Sequence, residues 1–182
     1  MNDELHRRGL LAWAGLAALG SSAGVLADEA PLASPDRVAP DASLGQALDG
    51  KALRLSDYEG RPVIVFFWAS WCPYCRNELP VLERLQAKTR DRMTIVAVNV
   101  EERAVFKKLQ RVLADTTQLV HTYDPDTASA KAFAKPSSLP YTVVLRADRS
   151  VAATQKGWGE GSVDFIVKHV NTVLADAKTG DR

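Results

Sequence analysis

The order of hydrophobic and polar positions predicts a series of buried strands. The runs at Val63–Trp68 and at residues 93–100 are largely apolar and do not alternate with polar positions. Such runs are typical of strands that are covered on both faces of a sheet. Further strands are predicted at residues 52–55, 119–123 and 141–146 and at Val151–Lys156. The sheet is therefore expected to lie between other layers of structure.

Between these strands the apolar positions recur every three or four residues, which predicts helices. Helices are expected at residues 73–88, 104–113 and 127–133, and from Ser162 onwards, where the serine can cap the first turn. In the first helix, Leu79, Leu82 and Leu85 share one face, and Pro80 is expected to kink it. The apolar faces of the second and last helices are predicted to be Val105, Phe106, Leu109, Val112 and Leu113, and Val163, Ile166, Val167, Val170 and Leu174.

This alternation of strands and helices predicts an α/β protein, arranged as a three-layer α/β/α sandwich. The Asp49-Gly50 pair is a strong signal for a two-residue hairpin turn, so a β-hairpin extension is expected at the N-terminal side. We place the packed domain at residues 44–178. The preceding residues 28–43 contain three prolines and no apolar period, and they are predicted to be a flexible lead-in.

Residues 1–27 have the pattern of a secretory signal peptide. Basic residues His6-Arg7-Arg8 precede an uncharged apolar stretch, which ends in the small residue Ala27. The alternative is a retained membrane anchor, although serines and glycines dilute the stretch. The arginine pair also resembles a twin-arginine export signal. The pattern predicts export and a periplasmic location.

The composition limits the class of function. Hydrophobic residues make up 46% of the chain and charged residues 25%, as in soluble globular proteins. The formal net charge is only +1, which argues against a nucleic-acid-binding protein. The largest basic cluster is Lys107, Lys108 and Arg111, which we interpret as the solvated face of a helix.

The chain has two cysteines, spaced as Cys72-Pro73-Tyr74-Cys75, and four interpretations are open. A structural disulfide across so short a loop would contribute only about 2 kcal/mol, against about 4.7 kcal/mol for a loop of 100 residues. A metal site would need histidines, and His121 is the candidate for a copper site with both cysteines. The pair could also be inert small side chains. A catalytic dithiol is the fourth interpretation.

The position of the pair favours the catalytic dithiol. It follows a buried strand directly and opens a helix, where unpaired N–H groups and the helix dipole stabilise a thiolate. Cys72, at the outer edge of the turn, is expected to be exposed and to attack. Cys75 is expected to be more buried and to resolve the mixed disulfide.

Residues 67–80, with the segment Trp71-Cys72-Pro73-Tyr74-Cys75, resemble the active-site segment of the TlpA/ResA-like thioredoxins. The resemblance covers about residues 45–176. It implies a thioredoxin fold with a central mixed sheet and an extracytoplasmic thiol–disulfide oxidoreductase. It also implies a role in the maturation of cytochrome c or of copper sites, which several family members serve as reductases.

The resemblance extends to individual site residues. Pro140 matches a proline that is cis in the family and packs opposite the dithiol. Glu78 matches an acidic residue that would tune the dithiol, the alternative being an acid on the helix face without function. Trp71, Pro73 and Tyr74 form the active-site loop.

Three positions depart from the family pattern. Pro73-Tyr74 has the order seen in glutaredoxins, Phe66 stands where cytoplasmic thioredoxins keep a buried aspartate, and Tyr141 stands where a threonine is usual.

The most specific expectation is a monomeric reductase of protein disulfides. The resemblance implies no cofactor and no resident metal, and a membrane thiol carrier is the natural electron donor. The alternatives are a periplasmic disulfide oxidase or isomerase, and a protein that delivers copper through its dithiol.

Overall fold

The computed structural model describes residues 37–113, 117–133 and 138–180. The predicted signal peptide and residues 28–36 of the predicted lead-in lie outside the described residues. The rest of the lead-in is packed: Arg37 forms a β-bridge with Ser150, and Val38 and Ala42 are buried in the core. The packed part of the chain therefore begins before residue 44, where the sequence placed the boundary.

In the described part of the chain, seven strands and three α-helices follow in the predicted order. They are β1 (Ser43–Gln46), β2 (Ala52–Arg54), β3 (Val63–Trp68), α1 (Pro73–Thr89), β4 (Thr94–Asn99), α2 (Arg103–Leu113), β5 (Val120–Tyr123), β6 (Tyr141–Leu145), β7 (Val151–Lys156) and α3 (Ser162–Gly180). The described residues also form 3₁₀ helices at Leu55–Tyr58, Arg90–Arg92 and Ser129–Phe133. The last of these replaces the α-helix predicted at residues 127–133. Most other ends differ from the prediction by only one or two residues.

The strands form one mixed sheet in the order β2-β1-β5-β4-β3-β6-β7. β3 is parallel to β4, and β4 is parallel to β5, whereas β6 and β7 run antiparallel to their neighbours. β1 and β2 are an antiparallel pair joined at Asp49-Gly50, which confirms the predicted hairpin extension. β3 lies between β4 and β6, so the cysteines that follow it emerge near the middle of the sheet edge.

The two central strands are buried at every position. Along β3, Val63, Val65 and Phe67 face one layer, and Ile64, Phe66 and Trp68 face the other. Within the described ranges, the first layer consists of the segment after residue 37 and two of the 3₁₀ helices, and the second contains side chains from all three α-helices. The predicted sandwich is confirmed, with 3₁₀ helices in place of α-helices on one face.

The predicted apolar faces of α2 and α3 are wrong at three valines. Val112 is 75% exposed, Val163 45% and Val167 43%. Val112 lies six residues after the buried Phe106. At about 100° per residue the helix turns by about 600° over this distance, so the two side chains point about 120° apart. On α3 the buried stripe runs through Ile166, Val170 and Val173, and Val163 and Val167 lie at its border.

α1 continues through Pro80 without a break. Among the described residues, none of the helices combines the length and the hydrophobicity that a membrane span requires.

Candidate active site

Cys72 and Cys75 form a disulfide at the start of α1, with their Cα atoms 5.3 Å apart. β3 ends at Trp68, and a short loop brings the chain to the helix. Cys72 is the N-cap of α1, and Pro73 occupies the first helical position. Proline suits that position because its fixed φ is already helical and its missing N–H would have no helical acceptor there.

The sulfur of Cys72 caps the helix. The backbone N–H of Cys75 donates a hydrogen bond to Cys72 Sγ over 3.1 Å. After reduction, the same N–H and the positive end of the helix dipole would stabilise a Cys72 thiolate. The geometry therefore marks Cys72 as the sulfur whose charged form is favoured.

The prediction that Cys72 is exposed is wrong for this disulfide state. Cys72 is 3% exposed and Cys75 is fully buried, because both pack in the apolar cluster beside α1, and Cys72 Sγ caps the helix. The neighbouring Trp71 and Tyr74 are exposed at 66% and 56%. The surface around the disulfide is therefore aromatic, with the sulfurs just below it.

Glu78 lies one turn after Cys75 and is completely buried. The hydroxyl of Thr142 donates a hydrogen bond to Glu78 Oε1 over 2.5 Å, and Oε2 has no hydrogen-bond partner among the described residues. Burial raises the pKa of Glu78 from 4.5 to about 7, although the Thr142 hydrogen bond opposes the rise. The carboxyl thus changes protonation state near neutral pH.

Thr142 is a site residue that sequence reasoning missed. It pairs with Phe66 across β3 and β6, so its side chain faces the layer that contains α1. The alternation of side chains along the strand after Pro140 could have predicted that Thr142 faces this layer. Its contact with Glu78 becomes known only from the fold.

Pro140 lies at the same end of the sheet as the disulfide. It immediately precedes β6, whose first residue Tyr141 pairs with Phe67 near the end of β3. The Leu139–Pro140 peptide bond is cis, as expected, and Pro140 is buried. Its carbonyl accepts a hydrogen bond from the Gly157 N–H over 2.8 Å.

A carboxylate that the sequence did not single out holds the loop before the disulfide. Glu101, just after β4, accepts hydrogen bonds from the Ser70 N–H over 2.5 Å and from the Ser70 hydroxyl over 2.9 Å. Asn99 Nδ2 donates to the same carboxylate over 3.1 Å, and the Glu101 N–H donates to Asn99 Oδ1 over 3.0 Å. Ser70 precedes Cys72 by two residues, so these bonds fix the approach to the active-site turn.

His121, the candidate copper ligand, belongs to a different set of contacts. Its Nε2 lies 2.8 Å from Thr117 Oγ1 and 4.0 Å from Glu83 Oε1, and its ring makes a T-shaped contact with the ring of Trp68. Burial lowers the pKa of His121 from 6.5 to about 4, partly opposed by Glu83, so the ring is neutral at pH 7. Within the described ranges, no group of three or more His, Cys, Asp or Glu side chains could hold a metal ion.

A family model described as Redoxin matches residues 34–174 of the chain. The thioredoxin-like protein YneN of Bacillus subtilis is 37% identical over 107 residues, which are 59% of this chain and 62% of that protein. The thiol-disulfide oxidoreductase ResA of Oceanobacillus iheyensis is 39% identical over 67 residues, which are 35% of each chain. The matches thus span less than two thirds of the length of these curated relatives.

Among solved structures, a thiol:disulfide interchange protein of the thioredoxin family from Chlorobium tepidum TLS is 26% identical. It superposes with a TM-score of 0.58, and the match covers 76% of this chain and 97% of that one. This similarity confirms the predicted thioredoxin fold. The predicted enzyme class, a thiol–disulfide oxidoreductase, agrees with the names of these relatives.

Proposed function

We propose a function for this chain on the premise that it belongs to the Redoxin family, whose model matches residues 34–174. Together with the similarity to ResA and YneN, the match confirms the predicted TlpA/ResA-like thioredoxin family. We propose that the protein is a thiol–disulfide oxidoreductase that reduces disulfides of exported proteins. The observation that carries the proposal is the Cys72–Cys75 disulfide at the start of α1, one turn before the buried carboxyl of Glu78.

In the first step, the Cys72 thiolate of the reduced protein attacks one sulfur of a substrate disulfide. A mixed disulfide forms, and the other substrate sulfur leaves as a thiolate that takes a proton from water. Support for Cys72 as the nucleophile comes from the Cys75 N–H that points at its sulfur. The helix dipole favours the same thiolate.

In the second step, Cys75 gives its proton to the Glu78 carboxylate and attacks the Cys72 sulfur. The bond to the substrate breaks, the second substrate thiolate leaves, and the Cys72–Cys75 disulfide remains. Two electrons have then passed from the dithiol to the substrate. A pKa of about 7 suits Glu78 to this role, because a general base works best when its pKa is near the working pH.

The exposed residues around the dithiol are the proposed contact surface for the substrate. Trp71 and Tyr74 offer aromatic area beside the disulfide, and Pro73 holds the turn between the cysteines. Pro140 lies at the same sheet edge. We assign Trp71, Pro73 and Tyr74 to contact with the substrate segment whose sulfur meets Cys72, and the buried Pro140 to positioning at the same end of the sheet.

The proposed direction is reduction. A strongly stabilised thiolate makes an oxidant, with potentials near −120 mV in the extreme case. Here Arg76 is the only basic residue in residues 67–80, and Glu78 opposes it. We expect a potential more negative than about −200 mV, on the reducing side of the disulfide-forming enzymes.

Equilibration with a glutathione redox buffer measures the potential. A value near −120 mV, with rapid oxidation of a reduced unfolded protein, would instead identify the alternative disulfide oxidase. The glutaredoxin-like order Pro73-Tyr74 shifts the expected potential towards the intermediate range of about −200 to −230 mV given for glutaredoxins.

Export and the electron donor are parts of the proposal that rest on the sequence. The signal-like residues 1–27 support a periplasmic location, where a membrane thiol carrier would reduce the disulfide again. N-terminal sequencing of the exported protein should find Asp28 as the first residue. A full-length chain in the membrane fraction would favour the anchor.

A trapping experiment tests the function directly. Cys75→Ser leaves Cys72 able to attack and removes the resolving thiol, so mixed disulfides with exported proteins should accumulate. Dithiothreitol should release them, and mass spectrometry would identify them. The matched Cys72→Ser variant should trap nothing, and the reverse result would contradict the assigned roles.

A further inference from the structure

A groove runs between α1 and α3, on the helical face of the sheet. It encloses about 550 Å³. Leu85 of α1 and the buried Ile166 and Val170 of α3 line it. Val163 and Val167, the two exposed valines at the border of the α3 stripe, lie along the same groove. Apolar side chains therefore face solvent inside a concave surface.

The rim of the groove is positively charged. Arg84, Lys88 and Arg92 line it on one side, and Lys178 lines it on the other. None of the residues that line the groove is acidic. Within the described part of the chain, none of these four cations has a carboxylate within salt-bridge distance. The groove therefore lacks counter-charges of its own, although the chain as a whole is nearly neutral.

From this combination we infer that the groove is a docking site for an acidic amphipathic helix of a partner protein. A trough between two helices accepts the apolar face of a third helix, as in other helix-in-groove complexes. From Val163 to Lys178, α3 provides about 22 Å, or about four helical turns, at 1.5 Å per residue. A partner segment of about 15 residues would fill this length.

Charge and shape together select this partner. Lysine and arginine pack their aliphatic stems along apolar surface and keep their charges at the edge, where Glu or Asp side chains of the partner would meet them. A membrane surface would instead fit a protruding apolar face better than a recessed one. The helix is therefore the better fit to this groove.

The site is separate from the dithiol. Along α1, Lys88 lies about 22 Å from Pro73 at 1.5 Å per residue, so the cationic end of the groove is remote from the disulfide. A partner bound there leaves the active-site loop free. The inference therefore does not depend on the proposed direction of electron transfer.

The test uses the full chain and a fluorescein-labelled peptide of 15 residues, made of Leu and Glu in an amphipathic helical pattern. A second peptide replaces each Glu by Lys. Fluorescence anisotropy should show binding of the Glu peptide and at least tenfold weaker binding of the Lys peptide. The double variant Arg84→Glu, Lys88→Glu should bind the Glu peptide at least tenfold more weakly and should prefer the Lys peptide.

A matched control changes the net charge equally at another place. In Lys107→Glu, Lys108→Glu, two exposed cations of α2 are reversed. This control should bind the Glu peptide within twofold of the parent protein. An equal loss in both double variants would mean that overall charge, rather than the groove, attracts the peptide, and would overturn the inference.

A second pair of variants tests the apolar surface. Val167→Asp should weaken binding of the Glu peptide at least tenfold, whereas Val112→Asp, at an exposed valine of α2, should not change it. Circular dichroism and urea unfolding check that each variant is folded. The inference fails if the Glu peptide does not bind. It fails also if only phosphatidylglycerol vesicles bind and Arg84→Glu, Lys88→Glu abolishes that binding, because the groove would then serve a membrane.

Discussion

At the scale of single residues, burial changes the acid–base chemistry of Glu78. Its burial raises the pKa of its carboxyl to about 7, so it is partly ionised at neutral pH. In Glu78→Gln the like charge near the thiols disappears, and their pKa values should fall. Loss of the base should also slow resolution of the mixed disulfide by about 100-fold.

Alkylation rates across pH measure the thiol pKa values, and stopped-flow mixing with a disulfide substrate measures the resolution step. Glu83→Gln, on the same helix, is the control and should change neither. Unchanged thiol titration in Glu78→Gln would leave Glu78 as an acid without function.

Glu101 is expected to position the active-site loop. In Glu101→Gln an amide replaces part of the carboxylate, and it cannot accept every hydrogen bond that Ser70 and Asn99 donate. A donor left facing another donor should cost about 1–3 kcal/mol of unfolding free energy. The alkylation rate of Cys72 should change as well, because Ser70 leads into its turn.

Urea unfolding gives the free energy, and the exposed neighbour Glu102→Gln is the control. Equal stability of the two variants would show that the Ser70 contacts contribute little.

A site residue could be predicted from the sequence only where its role depends on residues next to it in the chain. The cysteines and Pro73 carry a signal in adjacent positions, so the sequence was sufficient to find them. Glu101 and Thr142 act on residues that lie 31 and 64 positions away. Their partners are known only once the strands are ordered in the sheet.

At the scale of elements, β1 of the hairpin approaches β5 closely at Gly45. Gly45 has φ +83°, and a Cβ there would lie 2.8 Å from the Tyr123 carbonyl oxygen. Gly45→Ala should therefore destabilise the protein through both backbone strain and a steric clash. The strain alone is worth about 1–2 kcal/mol.

Gly50→Ala separates these two effects. Gly50 has φ +88° but no atom within 4 Å of its Cβ position, so only the strain applies. Thermal or urea unfolding should show a larger loss for Gly45→Ala than for Gly50→Ala. Equal losses would mean that β1 shifts away from β5 without cost.

Elements were predicted best where one pattern dominates. β3 was placed to the residue because all six positions are apolar and buried. The short helix at Ser129–Phe133 was correctly located, but its 3₁₀ type has no sequence signal at this length. Val112 and Val167 were assigned to buried faces because apolar spacing alone cannot tell a core contact from an apolar residue that faces solvent.

At the scale of the whole molecule, two buried groups should give opposite pH dependences of stability. Glu78 has a raised pKa, so the folded state holds its proton more tightly than the unfolded state does. Its protonated carboxyl therefore contributes to the free energy of unfolding, and this contribution is lost as the pH rises from 4.5 to about 7. His121 has a lowered pKa, so its contribution is lost as the pH falls from 6.5 to about 4. Each slope is at most about 1.4 kcal/mol per pH unit.

In the parent protein the two slopes should nearly cancel, so the summed contribution of Glu78 and His121 to stability should be almost constant between pH 4.5 and 6.5. Glu78→Gln should leave a stability that rises with pH across this interval, and His121→Asn one that falls. Urea unfolding of the oxidised proteins at several pH values measures both slopes. A flat profile in both variants would contradict the opposing pair.

Because the Cys72 sulfur caps α1, the stability of the fold and the reduction potential of the disulfide are linked in one thermodynamic cycle. The disulfide can be reduced in the folded chain or in the unfolded chain, and the two free energies of reduction differ. This difference equals the difference in unfolding free energy between the oxidised and the reduced protein. Each 30 mV by which the fold lowers the potential makes the oxidised form more stable than the reduced form by about 1.4 kcal/mol. A reductase should therefore unfold at higher urea concentration when oxidised, and an oxidase when reduced. Two denaturation curves thus show whether the fold lowers or raises the potential of the dithiol, before any physiological partner is known.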